Sequence, residues 1–347
     1  MHIPYDKLLI SVGSKTNTFN TPGLFDRENK EVFFLKHLSH ARIIRRRILE
    51  CFERASNPNV CIEEKTRLLS FIVVGGGPTS VEFTAELHDF LIDDLKRMYA
   101  DLIPYVNISL IEASPDLLGT FSKTLRDYTK RSLLKRKINV VTSQAVKSIE
   151  YQPRPDGWVG DHTEAVLDDG TRLSFGTMIW SAGLKQIRLV DRLELEKGRG
   201  GRILVNNHQQ VCHPKHQNSV WALGDCCVNE NQPCPPTAQV AQQQAKYIAK
   251  MLNTGTNMVE NTPPFEFFSL GAMSQLGLGR GVLDLTTMGA PNSGQKVPEQ
   301  VGAWSGFTAW LSWRLAYWGK QMSVGNKILI PMHWFKTFFF GRDISRF

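Results

Sequence analysis

Residues 71–90 read FIVVGGGPTSVEFTAELHDF, and the fold turns on this stretch. Phe71 to Val74 is a short apolar run of the kind that makes a buried strand. Gly75-Gly76-Gly77-Pro78-Thr79-Ser80 then forms a GxGxx(G/S) turn, and helical spacing follows from about Thr79 to Met98. Gly75 permits the tight turn, and Gly77 lets the backbone approach a pyrophosphate at the helix N-terminus. Ser80 stands where a third glycine is usual and still allows close helix–strand packing. The next strand pattern, NISLIEAS, carries Glu112. A carboxylate there accepts from both ribose hydroxyls of NAD and repels the extra phosphate of NADP.

Outward from this unit, strand and helix patterns alternate. Leu125 to Lys137 is helical and basic, INVVTSQAV is strand-like, TEAVLDDGTRLSF reads as a hairpin around Asp168-Asp169-Gly170, and TMIWSAG closes on Gly183. That rhythm predicts a doubly wound α/β domain over about 71–183. Upstream, YDKLLISVGS is a strand running into Gly13, and residues 35–56 have helical spacing. Arg45-Arg46-Arg47 reads as the solvated face of that helix rather than a phosphate clamp. Downstream, SVWALGDC is a strand ending in Gly224-Asp225, able to aim a carboxylate and backbone at a ribityl or phosphate group. Cys234-Pro235-Pro236 precedes a strongly helical run, TAQVAQQQAKYIAKMLN.

A chain of 347 residues holds two or three domains, and 42% hydrophobic with 21% charged residues is ordinary for a folded protein. The formal charge is +8. Much of it lies in residues 301–347, where Arg314, Lys320, Lys327, Lys336, Arg342 and Arg346 face the single acid Asp343. Such an end suits nucleic acid, an acidic partner or an anionic membrane surface. The six cysteines contain no CxxC pair and suggest no disulfide framework. Cys212, His213, His216 and Cys226 lack the paired spacing of a zinc site, so no metal is expected. No leader peptide is visible at the N-terminus, and no segment is apolar for the roughly 18 residues a spanning helix needs.

With YDKLLISVGS ahead of the glycine turn, IWSAG after it and VWALGDC beyond, the chain resembles the two-dinucleotide flavoprotein oxidoreductases. In these an NADH domain is inserted in an FAD domain. The resemblance implies FAD held by Gly13, Gly224 and Asp225, and NADH held by Gly75, Gly77, Ser80 and Glu112. Pro235 to Gln244 further resembles the AQxAxQQ segment of type II NADH:quinone oxidoreductases, the alternative NADH dehydrogenases. There Ala238 is a small residue beside a flat flavin ring, and Gln239 and Gln243 offer hydrogen bonds near the quinone. A glutamine-rich surface helix is the plainer reading of the same residues. The nicotinamide would stack on the flavin near Gly183 and Glu82, with Glu82, Gln239 and Gln243 as the catalytic residues.

The C-terminal end is aromatic as well as basic. Trp304, Phe307, Leu311, Leu315 and Trp318 fall at helical spacing, which suits a helix lying in the headgroup layer of a bilayer, a buried core or a dimer contact. The implied layout is a C-terminal part of the first FAD half over 1–70, the NADH domain over 71–183, the second FAD half over 184–264, and a membrane-association region over 265–347. The implied activity is non-proton-pumping hydride transfer from NADH to FAD and then to ubiquinone. The resemblance also implies a peripheral homodimer on the mitochondrial inner membrane, with no nucleic acid partner. No GxGxxG turn precedes position 75, so the chain reads as an N-terminally truncated member. A disulfide or ferredoxin-type reductase, or a truncated non-catalytic NAD-binding protein, are the alternatives.

Overall fold

The computed structural model describes residues 3–152, 162–214, 219–253, 262–289 and 297–342. It divides into two compact units. The larger takes in Thr18–Gly183, Gly271–Thr286 and Val297–Phe347; the smaller takes in Met1–Asn17, Leu184–Leu270 and Thr287–Lys296.

The larger unit is built on a five-stranded sheet. Its members in chain order are β1 (Val32–Phe34), β2 (Ser70–Val74), β3 (Asn107–Glu112), β4 (Asn139–Thr142) and β5 (Thr177–Trp180). All pairs are parallel, in the spatial order β1-β5-β2-β3-β4. Parallel strands are covered on both faces and read as continuous apolar runs. β2 shows this: Phe71 and Val73 pack on one side with Phe52 and Leu110, and Ile72 and Val74 on the other with Phe175 and Trp180. The helices around the sheet are α1 (Leu38–Ala55), α2 (Pro78–Asp89) and α3 (Lys123–Lys135).

The larger unit takes in residues from Thr18 onward because β1 pairs with β5 and α1 packs on the sheet. Two expectations change here. Arg47 is not on a solvated face: it is buried, donates to the Gly176 carbonyl at 2.9 Å and pairs with Glu50 at 3.2 Å. The helix expected to run to Met98 leaves α-geometry at Asp89 and continues as a single wide π-turn, Phe90–Asp94.

In the smaller unit, the strand Leu8–Ile10 pairs in parallel with Val220–Ala222, and Lys15–Thr16 pairs antiparallel with Leu184–Lys185. Its principal helix is α4 (Ala238–Asn253). Ile248 and Met251 on that helix bury against Trp221 and Leu223.

The C-terminal part of the larger unit opens with an antiparallel three-stranded sheet, β6 (Ala272–Gln275), β7 (Gly281–Asp284) and β8 (Ala303–Gly306). Two helices follow, α5 (Phe307–Gly319) and α6 (Val324–Phe340). Trp304 therefore lies on a strand, not in the expected helix, because residues 303–306 pair with β7 and Gly306 breaks the backbone at φ +88°. Phe307, Leu311, Leu315 and Trp318 stay together on α5 and are all exposed. Pro331 sits inside α6 and leaves the Lys327 carbonyl without its usual helical donor. Trp318 Nε1 donates to that oxygen at 2.7 Å, joining α5 to α6. Among the described residues, no helix is long and apolar enough to cross a membrane.

Candidate functional site

At the C-terminal end of β2, Gly75 adopts φ +120°, and a Cβ there would lie 2.7 Å from Ser80 Oγ. No side-chain residue fits that conformation without strain. Its N–H donates to Ile111 O at 2.8 Å, which fixes the turn against β3. Ser80 is fully buried, and its hydroxyl meets the Ser181 hydroxyl at 2.7 Å. A third glycine is thus replaced by a side chain that bonds across to the segment leading to Gly183, itself at φ +66°.

Gly77 caps α2 without any side-chain cap, and a Cβ built on it meets nothing within 4 Å. No side chain caps the first turn of α2 and the space beside Gly77 is open, so an anion there is favoured by both the amide hydrogens and the helix dipole. Glu112 closes this space: a Cβ on Gly76 would come within 2.6 Å of its Cγ. Its Oε1 accepts the Ser114 N–H at 2.7 Å, which orients the carboxylate over the turn. The cradle and the acid together fit a dinucleotide with a free ribose 2′-hydroxyl.

Glu82, on the second turn of α2, lies in a cleft of about 550 Å³ with Lys36, His37, Thr79, Glu86, Gln275, Trp313, Arg314 and Trp334 on its walls. Burial pushes its carboxyl up to about 6, against the opposing pull of the Gln275 N–H, which donates to Oε1 at 3.1 Å. Trp313 and Ser274 also favour its charged form, yet Trp313 Nε1 and Ser274 Oγ are buried without completing a hydrogen bond. Arg314 is stacked between Trp310 and Trp334, 4.3 and 4.6 Å from the ring centres. The cleft thus combines flat apolar walls, a titrating acid and unfilled donors.

In the smaller unit, Ser14 Oγ donates to Asp225 Oδ2 at 2.7 Å. Gly224, at φ +75°, donates its N–H to Gln244 Oε1 at 2.7 Å, so the Gly-Asp turn is bonded directly to α4. A Cβ on Gly13 would meet nothing within 4 Å. Gln186 is buried beside this turn: its Nε2 reaches Asp225 O at 3.3 Å, while Oε1 has no partner. An open backbone approach, a carboxylate and an orphaned acceptor fit the polyol and phosphate part of a flavin nucleotide. Ala238 begins α4, with Pro235 and Pro236 just before it.

Gln239 and Gln243 have a second occupation. Gln239 Oε1 accepts the Leu270 N–H at 3.0 Å. Gln243 makes a two-point pair with the Phe268 backbone, at 3.0 and 2.8 Å. These amides hold residues 268–270 against α4. Cys226 and Cys227 are buried free thiols bonded to backbone carbonyls, and His216 lies outside the described residues.

A family model described as pyridine nucleotide-disulphide oxidoreductase matches residues 1–245, well over half of the chain. The chain belongs to that family. Residues 270–343 match a second model, the NDH2 C-terminal domain. The probable NADH dehydrogenase of Dictyostelium discoideum is 40% identical, with 99% of this chain and 69% of that protein covered. The external alternative NADH-ubiquinone oxidoreductase, mitochondrial, of Yarrowia lipolytica is 33% identical, with 99% and 63% covered. The solved structure of NDH2 from Plasmodium falciparum in complex with NADH superposes with a TM-score of 0.83 at 25% identity, covering 99% of this chain and 80% of that one. The chain spans 63–69% of the length of these two curated relatives. Its fold is the mixed α/β flavoprotein fold of the family, with the NDH2 C-terminal region present.

Sequence reasoning did not find the other members of the Glu82 cleft. Glu86 carried a usable signal, since it lies four residues after Glu82 and must share its helix face. Arg314 carried another, among tryptophans at helical spacing. Gln275 carried none, and neither did Arg342, which bonds Glu86 without lining the cleft, because their contacts join distant parts of the chain.

Proposed function

We propose that the protein oxidises NADH and delivers the electrons, by way of FAD, to ubiquinone. The observation that carries this reading is the uncapped N-terminus of α2, open at Gly77 and overlooked by Glu112. It is joined in one chain to an NDH2 C-terminal domain. FAD, when bound, supplies an acceptor for the hydride of NADH and a donor to the quinone.

The chain's own residues do the rest. The α2 amides bind the pyrophosphate, and Glu112 takes the ribose hydroxyls and excludes a 2′-phosphate. Asp225, Ser14 and the Gly13 and Gly224 backbone hold the flavin nucleotide, with Ala238 leaving room for a flat ring. Quinone reduction consumes two protons. Glu82, whose carboxyl titrates near 6, can hold one at Oε and release it near neutral pH. Gln239 and Gln243 are assigned to the quinone side, where the bonds to residues 268–270 also fix their direction.

The exposed apolar side chains of α5 and α6 include Phe307, Leu315, Ile328, Met332, Phe335 and Phe338, interspersed with Lys320, Lys327 and Lys336. This composition supports peripheral attachment to an anionic bilayer, where quinone is dissolved, and dimerisation through the same region. Mitochondrial names on the relatives support an inner-membrane site.

The test is a visible spectrum of the chain loaded with FAD. NADH is expected to bleach the flavin bands, and a soluble quinone to restore them. A chain that takes up FAD but is not bleached by NADH removes the activity.

A further inference from the structure

Helix α6 ends at Phe340, and the two residues after it fold back onto the far end of α2. Gly341, at φ +78°, makes the turn. Arg342 then donates its backbone N–H to Asp94 Oδ1 at 3.0 Å and Nη1 to Asp94 Oδ2 at 2.8 Å. Its Nη2 reaches Glu86 Oε2 at 2.7 Å. Asp94 is buried and stands on the π-turn Phe90–Asp94, a widening of the helix that re-aims side chains and is frequent at functional positions. The other oxygen of Glu86 accepts from Gln275 Nε2, and the Gln275 N–H donates to Glu82. One unbroken hydrogen-bonded series therefore runs Arg342, Glu86, Gln275, Glu82.

The charged and titrating groups facing Glu82 come from three places. Glu86 is on its own helix, Lys36 and His37 precede α1, and Arg314 and Tyr317 are on α5; Arg342, after α6, reaches Glu82 only through Glu86. Glu86 is the like charge among them and disfavours the Glu82 anion. Arg342 is the cation bonded to Glu86.

We propose that Arg342 is a positioning residue for Glu82. It offsets the charge of Glu86 and aims that carboxylate at Gln275, which keeps the Glu82 carboxyl in place on the cleft wall. The acid of the site is in this way made to depend on the anchorage of the last helix. The inference rests on the reading of Glu82 as the proton-holding group.

Infrared difference titration of the full chain tests it without any cofactor. The protonated-carboxyl band missing from Glu82→Gln belongs to Glu82. Arg342→Ala is expected to raise the midpoint of that band by roughly 0.5–1 pH unit, since Glu86 is left uncompensated. Arg342→Lys, which keeps the charge but not the forked geometry, moves it less. Glu86→Gln moves it down. A purely structural Arg342 would lower the melting temperature of Arg342→Ala and leave the midpoint where it is, which overturns the proposal. Should Arg342→Ala fail to fold, an unmoved midpoint in Glu86→Gln overturns it equally. Full quinone reduction by Glu82→Gln would remove Glu82 from proton delivery and leave the titration result standing, so the two failures are distinct.

Discussion

Ser14 Oγ donates to Asp225 Oδ2 across 2.7 Å, although 211 positions separate the two residues. Parallel pairing of Leu8–Ile10 with Val220–Ala222 brings both strands to the same end, so each delivers its polar residue just past its glycine. Removing the carboxylate with Asp225→Ala is expected to weaken FAD binding about tenfold or more. Ser14→Ala removes one hydrogen bond to a charged group and has a smaller effect, ~1 kcal/mol. Titration of FAD by its fluorescence quenching distinguishes the two.

The glycine turn separates folding from binding. Gly75→Ala forces a side chain into φ +120° against Ser80 Oγ and should destabilise the larger unit by about 1–3 kcal/mol, seen in urea unfolding. Gly77→Ala meets no neighbour, so its stability should match the wild type. Its methyl group occupies the open cradle instead, and NADH binding should fall at least tenfold by calorimetry.

Glu112→Gln keeps the shape over Gly76 and removes the charge. The expected outcome is a relative gain for NADPH, with the NADPH/NADH ratio of dissociation constants falling about tenfold. An unchanged ratio would falsify the ribose role of this residue.

Glu82 predicts a pH dependence of stability. Its carboxyl moves from 4.5 to about 6 on folding, so the native state binds a proton more tightly than the unfolded chain. That contribution is fully present below about 4.5 and is lost as pH rises through 6. The loss amounts to about 2 kcal/mol. Urea midpoints at pH 4.5 and 7.5 should therefore differ less in Glu82→Gln than in the wild type.

Helix α6 presents Phe335, Phe338, Phe339 and Phe340 to solvent. Replacing all four by serine should leave the fold intact and reduce co-sedimentation with anionic vesicles by tenfold or more, since each buried phenylalanine is worth about 1.5–3 kcal/mol. Equal sedimentation of both proteins counts against attachment through α6.

The strand, the glycine turn, the helix after it and the acid over the turn were legible because they are local: they lie within about forty residues and each obeys its own pattern. The Gly-Asp turn was legible for the same reason. Long-range side-chain bonds were not. Nothing at Gln275 points to Glu82, and nothing at Arg342 points to Asp94, until β6 and the end of α6 are folded against α2. Arg47 was misread because a run of three arginines resembles a solvated face, and only the path of Gly176 makes the third an interior donor. The place of β1 in the sheet was not legible either, because the strand is short and its partner β5 lies far along the chain.

Pro331 leaves Lys327 with a bare acceptor, and the Trp318 indole fills it from the neighbouring helix. In water this bond is exposed and competes with solvent on nearly equal terms. Where water is scarce the same bond has no competitor and strengthens, because an unmatched carbonyl there is costly. The joint between α5 and α6 is therefore a fastening that hardens as its surroundings dry. A pair of helices built this way stiffens on leaving water for an apolar phase, and Trp318 is the pin.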